Sequence, residues 1–256
     1  RNRSVSRGIG HSLGGTRGFG GASRGSAVAV SAIGDDVLCV EPLSSSPSDG
    51  GEAVAVWLHG LGDTGQGWSS TAPALQRMGL PMLRFLFPTA PIRDTMTGSR
   101  GPCPSWYDVA SLDPDVISRE EGSPPGLVES AQSVLDLVEP YVRRGVPPSR
   151  IFFIGYSQGG GVALAAALRA PRPVGGALLL SSWVAEPVVP AEHAVAAHVF
   201  HGAEDPVVPL AAAKRGCDIL QAAGLKTSFH AYRGMAHSVC DEEVGDIART
   251  LYEALL

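Results

Sequence analysis

No stretch of this chain offers 18 consecutive apolar residues, so no transmembrane helix is expected and any membrane contact should be peripheral. Cysteine is scarce. The four present, Cys39, Cys103, Cys217 and Cys240, form no C-x-x-C pair, and 256 residues is too long for a disulfide scaffold. Reduced thiols in a reducing compartment are the expectation. There is no H-E-x-x-H either, so no metal site is expected. Basic residues are short outside the N-terminus. Residues 1–34 hold five Arg and no acid, whereas the remainder carries 15 Lys and Arg against 25 Asp and Glu. An acidic body excludes nucleic acid as the main partner, because phosphate contacts need clustered cations.

Large apolar side chains are few in residues 1–34, which instead contain nine Gly and six Ser. That composition cannot build a core, and the segment is expected to be disordered. Arg-rich, Ser-rich and acid-free, it also has the composition of an organelle transit peptide. Residue 1 is Arg rather than Met, so the natural start is expected to lie upstream. The division that follows is a flexible leader over 1–50 and one catalytic domain over 51–256.

Within 51–256, short apolar runs alternate with helical patterns. The runs Ala53–Leu58, Met82–Phe87, Ile151–Ile154, Ala177–Leu180, His198–Phe200 and Thr227–Tyr232 do not alternate in polarity. Such runs predict strands of a mostly parallel sheet covered on both faces. Between them, Val128, Ala131, Leu135, Val138 and Val142 form one apolar stripe. Val162–Leu168 predicts a helix stopped by Pro171, and Leu210–Ala223 one ended by Gly224. Val244, Ile247, Leu251 and Leu255 mark a C-terminal helix, with Asp241, Glu242 and Glu243 in a first turn whose dipole favours acids. Strands alternating with helices make the fold class α/β. The Pro-rich stretch Asp113–Gly126 predicts a loop of the kind that walls a binding site.

The strongest chemical signal is Gly155-Tyr156-Ser157-Gln158-Gly159, a G-x-S-x-G between a predicted strand and a predicted helix. That is the context of a nucleophile elbow, a sharp turn lifting the serine oxygen above the sheet. Serine needs an adjacent base to attack at neutral pH, and in this arrangement the acid and the histidine follow it in that order. Asp205 follows the strand His198–Phe200, with Glu204 as the rival acid, and His237 follows Thr227–Tyr232. Both therefore stand at strand carboxyl ends, where such sheets bind ligands. The Gly-rich turn His59-Gly60-Leu61-Gly62-Asp63-Thr64-Gly65 exposes backbone N–H groups after the first strand. The Leu61 and Gln158 backbone N–H groups are thus the candidate oxyanion donors. The turn lacks the lysine and spacing of a phosphate cradle.

Five collinear stretches resemble the acyl-protein thioesterase family, also called the phospholipase/carboxylesterase family. They are the His59–Gly65 turn with Trp68; Pro104-Ser105-Trp106-Tyr107-Asp108; Gly155–Gly160; His201-Gly202 with Asp205-Pro206-Val207-Val208-Pro209; and Gly234-Met235 with His237-Ser238. The resemblance covers about residues 53–256. It implies an α/β-hydrolase fold and a cytoplasmic enzyme without cofactor, cleaving fatty-acyl thioesters of S-acylated proteins, lysophospholipids or simple esters. It implies Ser157, Asp205 and His237 as catalytic triad, Leu61 and Gln158 as oxyanion donors, and Trp106 and Trp183 as substrate-binding residues. Where the family often has a cysteine before that last tryptophan, this chain has Ser182. A monomer or weak homodimer is expected, with plastid or mitochondrion as alternative locations if the leader targets. Two other readings carry the same residues. One is a small-ester carboxylesterase or lysophospholipase; the other is a noncatalytic binding module, which would be expected to lack one of the triad.

Overall fold

The computed structural model describes residues 30–32, 37–44, 50–94, 101–109, 123–185, 188 and 194–256. Its centre is an eight-stranded sheet in the order β1-β2-β4-β3-β7-β8-β9-β10. The strands are β1 (Val30–Ala32), β2 (Val37–Val40), β3 (Ala53–Leu58), β4 (Leu83–Pro88), β7 (Ile151–Tyr156), β8 (Gly176–Leu180), β9 (Ala196–Gly202) and β10 (Lys226–Tyr232). From β4 to β10 every pairing is parallel; β2 runs antiparallel to β4, and β1 to β2. A two-residue hairpin, β5 (Ile92–Arg93) with β6 (Cys103–Pro104), stands apart.

The six predicted strands are therefore present: Ala53–Leu58 with its expected bounds, Met82–Phe87 shifted by one residue, and the other four extended by one or two residues at one or both ends. The fold class is α/β with helices on both faces. Strand β3 explains why its sequence does not alternate. Val54, Val56 and Leu58 enter one buried cluster and Ala53, Ala55 and Trp57 the other, so every position needs an apolar side chain. Phe153 and Phe152 on β7 divide in the same way, both at most 1% exposed. Truncating either to Ala would cost about 3–5 kcal/mol in transfer and cavity terms.

Helices α3 (Leu127–Arg143), α4 (Gln158–Arg169) and α5 (Leu210–Ala222) cover the first face, while α2 (Thr71–Arg77) and α6 (Asp241–Leu255) cover the second. A four-residue helix, α1 (Gly65–Trp68), precedes α2. The buried stripe of α3 is Leu127, Ala131, Val134, Val138 and Tyr141. Val128, expected in that stripe, is instead 45% exposed: the larger Leu127 takes the inward position, and on the same face the Ser130 hydroxyl donates to the Trp106 carbonyl. At the end of α5, Gly224 takes φ +84° and the Leu225 N–H returns to the Leu220 carbonyl, closing the helix as expected of a glycine there.

The division at residue 51 needs correction. Strands β1 and β2 lie before it and belong to the main sheet, with Cys39 and Val40 fully buried. Strands of three and four residues carry too little periodicity to be seen in the residues alone. Most of the remaining leader, and residues 113–122 of the Pro-rich loop, lie outside the described residues.

Candidate active site

Parallel strands all deliver their carboxyl ends to one edge of the sheet, and the candidate residues follow from it. Strand β3 ends at Leu58 and leads into His59–Leu61; β7 leads into Ser157; β9 leads towards Asp205; β10 leads towards His237.

Ser157 sits between β7 and α4 with φ 51° and ψ −120°, a backbone conformation that costs a non-glycine residue of order 1–3 kcal/mol. Three hydrogen bonds hold it there. The Ser157 N–H donates to the Leu180 carbonyl at 2.8 Å, while its carbonyl accepts from the Gly160 N–H at 3.0 Å and the Ser182 hydroxyl at 2.6 Å. Gly155 and Gly159 allow the turn to be this tight. A Cβ on Gly155 would overlap the Gly159 carbonyl, and one on Gly159 would overlap the Leu58 and His59 carbonyl oxygens.

His237 reaches both other candidates. Its Nε2 lies 3.0 Å from the Ser157 Oγ, and its Nδ1 lies 2.7 Å from Asp205 Oδ2. An ionised carboxylate only accepts, so Nδ1 carries the proton and Nε2 is left as acceptor towards the serine hydroxyl. The Tyr156 hydroxyl donates to the His237 carbonyl at 2.8 Å and steadies the loop. The second Asp205 oxygen accepts from the Val207 and Val208 N–H groups at 2.8 and 2.9 Å. Burial works to raise the Asp205 pKa, but the His237 hydrogen bond and these two amides outweigh it, so the carboxyl stays below its ordinary value and ionised.

The rival Glu204 is turned away, accepting from the Gly234 N–H at 2.6 Å on the exposed side. His201, fully buried, donates from Nε2 to the Val208 carbonyl at 2.9 Å and stands 3.7 Å from Asp205. Its burial lowers its pKa, so it faces the aspartate as a neutral ring.

The His59–Gly62 turn lies against the serine: a Cβ built on Gly60 would be 3.4 Å from the Ser157 Cβ. The Gly62 N–H donates to the Pro104 carbonyl and the Asp63 N–H to the Gly60 carbonyl. The Leu61 and Gln158 N–H groups have no acceptor among the described residues. Trp106 is 4% exposed, and its indole N–H donates to the His59 carbonyl at 2.9 Å. Its polar edge thus points inward rather than into open space. Trp183 is 5% exposed, sits edge-on to Tyr107 at 6.5 Å, and its indole nitrogen has no partner among the described residues. The supporting contacts of His59, Ser182, Tyr156 and the Gln158 side chain could not be read from the residues alone, since each spans a large sequence separation.

Among the described residues no group of three or more His, Cys, Asp or Glu could hold a metal, and no helix is long and apolar enough to cross a membrane.

A family model described as Phospholipase/Carboxylesterase matches residues 43–255. Acyl-protein thioesterase 1 of Cryptococcus neoformans is 34% identical over 232 residues, covering 83% of this chain and 97% of that protein. Acyl-protein thioesterase 1 of Gibberella zeae is 32% identical over 227 residues, covering 84% and 96%. Among solved structures, SOBER1 of Arabidopsis thaliana superposes with a TM-score of 0.69 at 26% identity, over 80% of this chain and all of that one. Acyl-protein thioesterase 2 of Zea mays gives 0.67 at 26% identity, over 86% and 99%.

Proposed function

This chain belongs to the phospholipase/carboxylesterase family, and we propose that it is a serine hydrolase removing fatty acyl groups from cysteine thioesters of S-acylated proteins, with activity on related carboxylic esters. The observation that carries this reading is the unbroken series Asp205–His237–Ser157, with contacts of 2.7 and 3.0 Å and one tautomer of the histidine.

The reaction runs in two steps. Ser157 Oγ attacks the acyl carbonyl while His237 Nε2 takes its proton, and Asp205 stabilises the imidazolium that forms. The carbonyl oxygen becomes an oxyanion and is met by the Leu61 and Gln158 N–H groups. His237 then gives its proton to the departing sulfur or oxygen, leaving an acyl-serine. Water, deprotonated by the same histidine, attacks that ester; the tetrahedral intermediate expels Ser157, which regains its proton, and the fatty acid leaves. No cofactor takes part. Trp183 stands beside the acyl chain in this reading. The catalytic unit is residues 51–256 together with the two strands before it, and it acts as a monomer or weak homodimer in the cytoplasm. The leader is the candidate for directing it to plastid or mitochondrion; fusing residues 1–34 to a fluorescent protein tests this.

The deciding experiment compares wild type and Ser157→Ala on a palmitoyl-thioester peptide, a lysophospholipid and a short ester. Thioester cleavage that vanishes in the variant is the expected result. Wild type that cleaves only short esters or only lysolipid would leave the triad standing and move the substrate to those classes. Failure of a fluorophosphonate to label Ser157 would return the chain to a noncatalytic binding role.

A further inference from the structure

The side chain of Gln158 takes no part in the acyl transfer above, which uses only its backbone N–H. It is nonetheless fully buried and makes three hydrogen bonds to one short segment. Its Oε1 accepts from the Trp106 N–H at 3.0 Å, and its Nε2 donates to the Ser105 hydroxyl at 2.9 Å and the Tyr107 carbonyl at 2.7 Å. Both amide protons and the carbonyl oxygen are therefore engaged. Glutamate would keep an acceptor for Trp106 but lose both donors, and methionine would lose all three bonds.

The same segment is fastened at its other side to the turn that carries Leu61. The Trp106 indole N–H donates to the His59 carbonyl at 2.9 Å, and the Pro104 carbonyl accepts from the Gly62 N–H at 2.8 Å. These bonds bracket Leu61, two residues before it and one after. The Trp106 ring also packs on the His59 ring at 5.0 Å, and His59 Nε2 accepts from the Ala90 N–H at 3.0 Å. The Ser130 hydroxyl anchors the Trp106 carbonyl from α3. Residues 104–107 thus form a strut, with one side on the Gln158 residue and the other on the turn around Leu61.

A strut is needed there for a physical reason. Leu61 lies between Gly60 and Gly62, and Gly62 takes φ +79°, so the turn has little stiffness of its own. Oxyanion donors act only if they stand about 2.7–3.1 Å from an oxygen that moves as the tetrahedral intermediate forms. The two donors belong to segments nearly a hundred residues apart; these pack directly on each other at Gly60 and Gly159, and the strut adds side-chain and backbone hydrogen bonds to both.

We propose that the Gln158 and Trp106 side chains are positioning residues that set the spacing between the Leu61 and Gln158 N–H donors, so that Trp106 serves the reaction through its indole N–H rather than as a wall for the acyl chain. The proposal rests on the hydrolase reading. It predicts a loss in turnover that is independent of chain length, because every acyl substrate passes through the same oxyanion.

The test is steady-state kinetics per active site for wild type, Gln158→Met, Gln158→Glu and Trp106→Phe, on a short p-nitrophenyl ester and on a palmitoyl-thioester peptide. Fluorophosphonate labelling taken to completion counts folded sites, so a variant that merely folds poorly loses sites but not turnover per site. Expected for Gln158→Met and Trp106→Phe is a fall in kcat per site of about 10–100-fold on both substrates, with KM within about threefold. Gln158→Glu, which sets a buried carboxylate oxygen against the Tyr107 carbonyl, should fall at least as far as Gln158→Met. Turnover per site within about twofold of wild type would overturn the proposal. So would a KM increase confined to the palmitoyl substrate, which would return Trp106 to the acyl wall. If Gln158→Met yields no titratable sites, Trp106→Phe decides, since it removes the indole N–H and leaves Gln158 intact. A wild type without turnover would remove the hydrolase reading and this proposal together; normal wild-type turnover with unaffected variants removes the proposal alone.

Discussion

The Ser182 hydroxyl donates to the Ser157 carbonyl at 2.6 Å, joining the end of β8 to the strained turn after β7. Both residues are buried, Ser182 to 1% exposure. The bond matters because a residue at positive φ persists only where its surroundings over-determine it. The Gly160 N–H, at 3.0 Å from the same oxygen, supplies a second hold. Ser182→Ala should therefore destabilise the fold by about 1 kcal/mol, the net worth of one hydrogen bond. That corresponds to a melting temperature lower by about 2–4 °C. Turnover should fall by less than about tenfold, since Gly160 remains; thermal melts and kcat on the same preparation check both numbers.

Asp205→Asn tests the tautomer. An amide nitrogen facing His237 Nδ1 would make that nitrogen the acceptor and move the proton to Nε2, where it opposes the Ser157 hydroxyl. The loss in kcat should approach about 10⁴-fold, as in the serine-protease template, with KM little changed. A loss below tenfold, measured on any turned-over ester, would mean that another acid orients His237.

Gly159→Ala places a methyl group on the Leu58 and His59 carbonyl oxygens. Both obstacles are backbone in the sheet and the oxyanion turn, so neither can swing aside. Destabilisation of about 3 kcal/mol is expected, the upper range for overpacking. Fluorophosphonate labelling of the remaining folded protein should slow as well, because relief of the clash must move Ser157 or the Leu61 turn.

Glu243 makes stability depend on pH. It stands in the first turn of α6, fully buried, where the nearby Cys240 backbone N–H eases its charge but no side chain pairs with it among the described residues. Tyr156 and Tyr232 lie close enough to feel its charge, and Asp205, Asp63 and Asp246 add negative charge around them. Burial pushes its carboxyl up from an ordinary 4.5 to about 8. Between those values the folded chain holds a proton that the unfolded chain releases, so stability falls as pH rises through that window. Glu243→Gln keeps the shape and removes the titration. Its melting temperature should gain on wild type from about pH 5 to pH 8 and hold that gain above. Melts at pH 5, 7 and 9 decide; a constant difference would place the titration elsewhere.

Local chemistry was open to reading in the residues themselves. A strand buried on both faces must be apolar throughout, so β3, β7 and β8 declared themselves, and the serine between two glycines declared a tight turn. The order of Ser157, Asp205 and His237 behind three strand ends was likewise a one-dimensional fact. The tertiary structure decided what depends on contacts between distant segments. It put β1 and β2 on the sheet edge, rotated the buried stripe of α3 from Val128 to Leu127, and turned Glu243 into the interior. It also directed the Trp106 indole to His59 and the Gln158 amide to residues 105–107. Periodicity and turn chemistry act over a few residues and are written in sequence. The direction of a hydrogen bond spanning some fifty residues is set only when the segments that carry its ends are packed together.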